Sequence, residues 1–283
     1  MDSNPSPFSL GLLALLSLLL VIGSASRGRI SVPHYLRYLW GFFLLLTIAD
    51  WVSFHYAIWM FAGFSFLALR EYFSLVDIRL EDRWGVLGAY LSIFFMTYFI
   101  HIDWYGMFII SIPVYTFLVM PFLVALGGGE SRGAVYSTGV IDLGLFLFVY
   151  SMGHIGYLAF FSVRIAILFV LVVALTDLIC RRVAPRRFLL RFLLALAGGL
   201  TLSLLSSDWT NIPSMQAAGF GILIPGLVFC GHFTMNTLEE DLGVTPGQLE
   251  PGRGLVLDSL KAYLFAAPVS FHYLRWFLHW GDL

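Results

Sequence analysis

The sequence predicts an all-α, polytopic integral membrane protein of about nine to ten transmembrane helices, on three observations. Hydrophobic residues make up 59% of the 283-residue chain and charged residues 12%, too little polar surface to clothe a soluble globule of this size. Apolar runs of roughly 20 residues, the length that crosses a ~30 Å hydrocarbon layer as helix, recur along the whole chain. Arginines fall in alternate connections between those runs, as the positive-inside rule requires of a polytopic protein.

The expected spans are 8–23, 37–51, 54–70, 85–101, 105–126, 137–160, 163–180, 188–206, 213–233 and 256–278. The first, "FSLGLLALLSLLLVIG", is followed by Ser24, Ala25 and Ser26 in the manner of a signal peptide. No Lys or Arg precedes it, whereas Arg27 and Arg29 follow it, so a retained span that starts outside is expected. That start places four arginine groups on the cytoplasmic side: Arg27, Arg29 and Arg37; Arg70, Arg79 and Arg83; Arg132; and the run Arg181, Arg182, Arg186 and Arg187. The stretch 234–254 falls on the same side. The outer connections "HIDW" and "SSDWTNIP" carry almost no positive charge, and Arg164 and Arg275 are exceptions to the alternation. Tyr273, Trp276 and Trp280 are expected to anchor the last span at the outer interface.

No repeat, low-complexity tract or long linker divides the chain, so residues 1–283 read as one transmembrane domain. The net charge of −1 gives no footprint for a nucleic-acid partner. Cys180 and Cys230, far apart in separate spans, form neither a metal spacing nor a disulfide framework and read as packing residues.

"EEDLGVTPGQLEPGRGLVLDS", residues 239–259, is the one long polar interruption in the last third of the chain, and its Asp258 lies inside the following apolar run. An ionisable residue within a span is expensive enough that function or pairing is the default expectation. Lys261, three residues on, shares a helical face with Asp258, so the two can neutralise each other. Asp177 similarly precedes Arg181 by four residues, which allows either a structural pair or a functional carboxylate. Asp241 reads as solvated or as catalytic. Arg181, Arg182, Arg186 and Arg187 either fix orientation against anionic headgroups or grip a phosphate. His154, alone within a span, reads as a helix-bonding histidine or a ligand.

The stretch from Glu239 to Phe277 resembles the carboxy-terminal signature of the phosphatidate cytidylyltransferases, also called CDP-diacylglycerol synthases. "FLALREYFSL" (66–75), "WYGMFIISIPVY" (104–115), "GLFLFVYSMGHIGYL" (144–158) and "ALTDL" (174–178) are similar to that family in the same order. The resemblance covers most of the chain after the second span, with 1–83 read as amino-terminal spans and 84–283 as the family-like region. It implies reaction of CTP with phosphatidic acid to give CDP-diacylglycerol and pyrophosphate on the cytoplasmic side. Partners so implied are CTP, a membrane lipid such as phosphatidic acid, and a second copy of the chain as a homodimer.

Attack of a lipid phosphate on a triphosphate crowds negative charge, so the chemistry calls for a divalent ion on carboxylates with cations and backbone amides around it. Carried over by position, the resemblance implies Asp177, Asp241 and Asp258 as catalytic residues and Mg²⁺ held by Asp177 and Asp258. Arg181, Arg182, Arg186, Arg187, Gly252, Arg253, Gly254 and Lys261 are implied as substrate-binding. Asp177, Asp241, Gly243, Pro251, Gly252, Gly254, Asp258 and Ala267-Pro268-Val269 keep the family's residue types.

Other positions depart from the signature. Gly231-His232 stands at its Gly-Asp, Asn236 at its Ser, Glu239 and Glu240 at its Lys-Arg, and the Lys-Asp near Thr245 and Pro246 is replaced. Arg253 stands at its His, Leu255 at its second Gly, Ser259 at its Arg, and Lys261 at its second Asp. The family's Ser-Pro-x-Lys-Thr-x-Glu-Gly segment is missing after "RRVAPRRF". Exchanging a Lys-Arg pair for two Glu reverses about four units of charge, and each like-charge contact at ~4 Å costs on the order of 1–4 kcal/mol. The site therefore reads as eroded or repurposed. Two function classes follow: a nucleotidyltransferase acting on a lipid or polyprenyl phosphate, or a non-catalytic relative that serves as a partner subunit or lipid-headgroup binder.

Overall fold

The computed structural model describes residues 5–25, 34–128, 131–244, 249–250 and 253–279. All ten expected segments are helical, and no strand is found among the described residues. In chain order they are α1 Pro7–Ala25, α2 His34–Trp51, α3 Phe54–Leu75, α4 Arg83–His101, α5 Tyr105–Leu126, α6 Ala134–Phe161, α7 Val163–Arg182, α8 Phe188–Leu205, α9 Ser214–Asp241 and α10 Leu255–Phe277. Six helical segments are long and apolar enough to cross a membrane: Leu80–His101, α5, α6, α7, Pro185–Leu205 and α9. This is an integral membrane protein. Helices α2, α3 and α10 have the length, at 18, 22 and 23 residues. They fall short in apolarity because they carry polar groups that the bundle uses internally.

Two helix ends differ from expectation for one reason. Helix α9 runs on to Asp241, so the first part of the expected loop 234–254, through Asp241, is helical, and α3 reaches Leu75 instead of stopping at Arg70. Hydropathy reports where lipid ends. A helix whose polar residues find protein partners has no cause to end there.

Close backbone contact joins α8 to α9: a Cβ on Gly199 would fall 2.5 Å from the Gly221 carbonyl oxygen, and one on Gly221 would fall 2.6 Å from that of Gly199. Small residues at such crossings let helices associate through dispersion where hydrophobicity gives no drive. Asp50 near the end of α2 accepts from the Ser6 N–H and the Ser9 hydroxyl, both at 2.9 Å, which fastens α1 to α2. Two π-helical turns, Ser111–Thr116 in α5 and Phe146–Ser151 in α6, re-aim the residues that follow them. Helix α10 packs in the middle, with Tyr263 stacked on Phe42 at 4.6 Å and Phe271 fully buried.

The charge exceptions are each held locally. Arg164 donates to the Trp209 carbonyl at 3.4 Å, and the Arg275 guanidinium lies 3.6 Å from the centre of the Tyr105 ring. Tyr273 donates to the Gln216 carbonyl of α9, so its hydroxyl serves packing, while Trp276 is exposed; Trp280 lies outside the described residues. Both cysteines are free, with Cys180 buried and Cys230 exposed, so only Cys180 is a core packing residue. His154 is fully buried and bonds the Tyr150 carbonyl of its own helix at 2.8 Å.

Candidate functional site

Polar residues from five helices converge at one end of the bundle, where α3, α7 and α9 finish and α2 and α10 begin. On α7, one helical turn brings Arg181 Nε to Asp177 Oδ2 at 2.8 Å. The guanidinium reaches across to α10, donating from Nη1 to Asp258 Oδ2 at 2.7 Å and from Nη2 to the Asp258 carbonyl at 2.8 Å. Its flat face lies 4.8 Å from the centre of the Tyr35 ring of α2. One cation thus ties α2, α7 and α10 together. The planar fork of arginine makes this possible where the point charge of lysine could not.

The expected Asp258–Lys261 pair is present, with Lys261 Nζ 2.6 Å from Asp258 Oδ1. Lys261 has further partners on α9, donating to Asn236 Oδ1 at 2.8 Å and to Glu239 Oε2 at 3.1 Å. Two histidines complete the network: His34 Nε2 lies 2.7 Å from Asp258 Oδ2, and His232 Nε2 lies 2.7 Å from Asp177 Oδ1. Asp177, Glu239, Asp258 and Lys261 are all buried. Charges taken out of water at this depth are tolerated only because each meets a partner, and removing one partner strands the other.

Gly254, at the amino-terminal cap of α10, has φ of +89°, a left-handed conformation that a side chain would strain. The first amides of α10 find their acceptor far away in sequence: Glu71 Oε2 of α3 accepts from Val256 N at 2.6 Å and from Leu257 N at 2.9 Å. Those amides are among the four that a helix cannot satisfy internally, and the helix dipole favours a carboxylate there. Glu71→Ala is expected to cost about 1–3 kcal/mol, and Glu71→Gln, which keeps one acceptor, less. Thermal midpoints of the detergent-solubilised protein check the order; equal midpoints for wild type and Glu71→Ala would remove the capping role.

Of the residues singled out from sequence, Asp177, Arg181, Asp258 and Lys261 meet in one network, with Gly254 shaping its floor. Arg182, Arg186 and Arg187 are exposed beyond it, so they do not converge as a clamp on the buried carboxylates. Arg253 is exposed, 3.9 Å from Glu250. Asp241 is also exposed; nine residues from His232 at about 3.6 per turn, it sits on the opposite face of α9. Gly252, like Pro251, Thr245 and Pro246, lies outside the described residues.

Sequence reasoning passed over His34 and Glu71, and took His232, Asn236 and Glu239 only as departures from the signature. The last three carry a usable signal: spacings of four and three put them on one face of a helix. Glu239 in particular was expected to add uncompensated negative charge, yet Lys261 neutralises it.

The donor set bears on Mg²⁺. Both oxygens of Asp177 and both of Asp258 are already engaged by Arg181, His232, His34 or Lys261. No group of three or more His, Cys, Asp or Glu is arranged for a metal ion among the described residues. As arranged, the residues do not fit the ion that the resemblance implies, since Mg²⁺ demands near-octahedral oxygen ligation. Beside the network lies a cavity of about 390 Å³ with polar side chains from His34, Arg181, Glu239 and Lys261 and apolar ones from Val244 and Leu249, of a size typical of small-ligand sites.

No protein-family profile matches the chain, and no solved structure matches it. The chain is 27% identical over 269 residues to the protein named "Uncharacterized protein YnbB" of Escherichia coli (strain K12), covering 85% of this chain and 86% of that one. It is also 28% identical over 95 residues, 32% of each chain, to a phosphatidate cytidylyltransferase of Synechocystis sp.. The likeness to that enzyme is thus partial, spanning about a third of its length.

Proposed function

We propose that this is a phosphatidate cytidylyltransferase-like membrane protein that binds the phosphate headgroup of a phospholipid in the cavity beside Arg181 and Lys261, with nucleotidyl transfer lost or strongly reduced. The observation that carries the reading is that Lys261, Arg181 and His34 take up both oxygens of Asp258. A cation built into α10 stands where the resemblance assigns a divalent ion. The site thereby keeps two cations that can meet a lipid phosphate, while Asp258 offers no open oxygen for a metal-bound triphosphate. Partial similarity to the Synechocystis enzyme and the set of membrane spans support a lipid as the ligand.

Incubating the purified chain with radiolabelled CTP, phosphatidic acid and Mg²⁺ is expected to give CDP-diacylglycerol at a rate at least a hundredfold below that of an intact relative, if at all. Rescue of a synthase-deficient cell by this chain alone would refute the loss of transfer. The second reading, retained cytidylyl transfer, is favoured by the 95-residue similarity to an enzyme of that name. In it a phosphate oxygen of the lipid attacks the α-phosphorus of CTP, the new P–O–P bond forms, and pyrophosphate leaves. Robust turnover abolished by Asp258→Asn would establish it.

The site faces the cytoplasm in this proposal, on the strength of the arginine alternation. In a chain with Cys180 and Cys230 changed to serine, Arg253→Cys and Asp208→Cys are expected to react with an impermeant thiol reagent from opposite sides. Reaction of both from one side would overturn the topology.

A further inference from the structure

We propose that the headgroup taken by the cavity carries an ammonium as well as a phosphate, that is, a zwitterionic phosphoethanolamine-type group; this rests on the lipid-phosphate reading above. The wall is two-signed. Arg181 and Lys261 supply two positive charges, while Asp258, Glu239 and Glu240 supply three negative ones, so acids outnumber the lysine and arginine on the lining by one. A purely anionic headgroup would add to that excess. A zwitterion leaves it unchanged and can meet both signs.

The atoms point the same way. Glu239 is 6% exposed; its Oε2 accepts from Lys261, while its Oε1 is buried without a hydrogen-bond partner among the described residues. A carboxylate oxygen in that state calls for a donor, and a primary ammonium has three. Glu240, next in the chain, lines the same cavity from an exposed position.

Exchange of partners then conserves charge. When Lys261 turns from Glu239 and Asp258 to a lipid phosphate, Glu239 would be stranded; an ammonium on the same headgroup replaces the lost cation. The two acids that stand at the signature's Lys-Arg pair thus gain a role: they select for an amine.

The test titrates the full-length chain in detergent with dihexanoyl phosphatidylethanolamine, phosphatidic acid and phosphatidylcholine, and with free phosphoethanolamine, by calorimetry. Phosphatidylethanolamine is expected to bind at least tenfold more tightly than phosphatidic acid or phosphatidylcholine, whose quaternary nitrogen has no N–H. Glu239→Gln is expected to erase that preference. Glu240→Gln, at an exposed position, is expected to reduce it severalfold and keeps the test valid should Glu239→Gln fail to fold.

Equal or tighter binding of phosphatidic acid by the wild-type chain would overturn the amine and leave the lipid-phosphate reading standing. A preference for phosphatidylethanolamine untouched by both Glu variants would overturn the assignment to these acids, and phosphatidylcholine binding as well as phosphatidylethanolamine would overturn N–H donation. Free phosphoethanolamine binding as tightly as its lipid would support the same chemistry from a soluble source. Binding of none of the four would sink both readings.

Discussion

Arg181→Met is expected to cause the largest loss of stability of any single substitution at the site. The guanidinium donates to Asp177, to the Asp258 carboxylate and to the Asp258 carbonyl, and the last two bonds join α7 directly to α10. Without it Asp258 keeps Lys261 and His34, whereas Asp177 keeps only His232 among the described residues. Breaking a buried ion network by removing one partner costs about 3–5 kcal/mol, chiefly because the remaining charges stay desolvated. The measurement is the thermal midpoint and the monodisperse yield in detergent. Arg181→Lys, which keeps the charge without the fork, is expected to fall between wild type and Arg181→Met. Neutralising both acceptors in the triple change Asp177→Asn, Asp258→Asn, Arg181→Met is expected to recover much of the loss. A midpoint unmoved by Arg181→Met would mean that the network does not hold these helix ends together.

The second large effect belongs to Lys261. An isolated Asp258–Lys261 pair would make the double alanine change milder than either single one. The structure alters that expectation: without Lys261, Asp258 retains Arg181 and His34, but Glu239 loses its cation. Lys261→Met is therefore expected to destabilise by about 3 kcal/mol, and Glu239→Gln to suppress that loss better than Asp258→Asn does. Lys261→Asp replaces the fixed cation with an acid beside Asp258 and Glu239, so added Mg²⁺ or Mn²⁺ is expected to raise the midpoint of that variant while leaving the wild type unmoved. No suppression by Glu239→Gln would show that Glu239 does not depend on Lys261, and equal suppression by the two neutral substitutions would show that Asp258 depends on it as much. An unmoved midpoint for Lys261→Asp under metal would mean that the site cannot be turned back toward a divalent ion.

The sequence by itself determined the fold class and the place of ten helical segments, and it offered the pairs Asp177–Arg181 and Asp258–Lys261 that the structure contains. These are local properties: apolar run length measures the bilayer, and spacings of three or four residues fix which side chains share a helical face. It misjudged where α3 and α9 end, because the loss of hydropathy at Glu71 and at Asn236 and Glu239 marks polar residues that find partners within the protein. Tertiary structure alone decided which faces meet. It brought Arg181 to Asp258, 77 residues away, His34 to Asp258 across 224, and Glu71 to the amides of Val256 and Leu257 across 185 and 186. It also separated Arg181 from Arg182, Arg186 and Arg187, which composition groups as one cluster but helix geometry leaves exposed. A periodic pattern specifies a face. Its partner is set by which helices can approach closely while satisfying every buried charge, as the contact of Gly199 with Gly221 and the shared carboxylates of Asp177 and Asp258 both require.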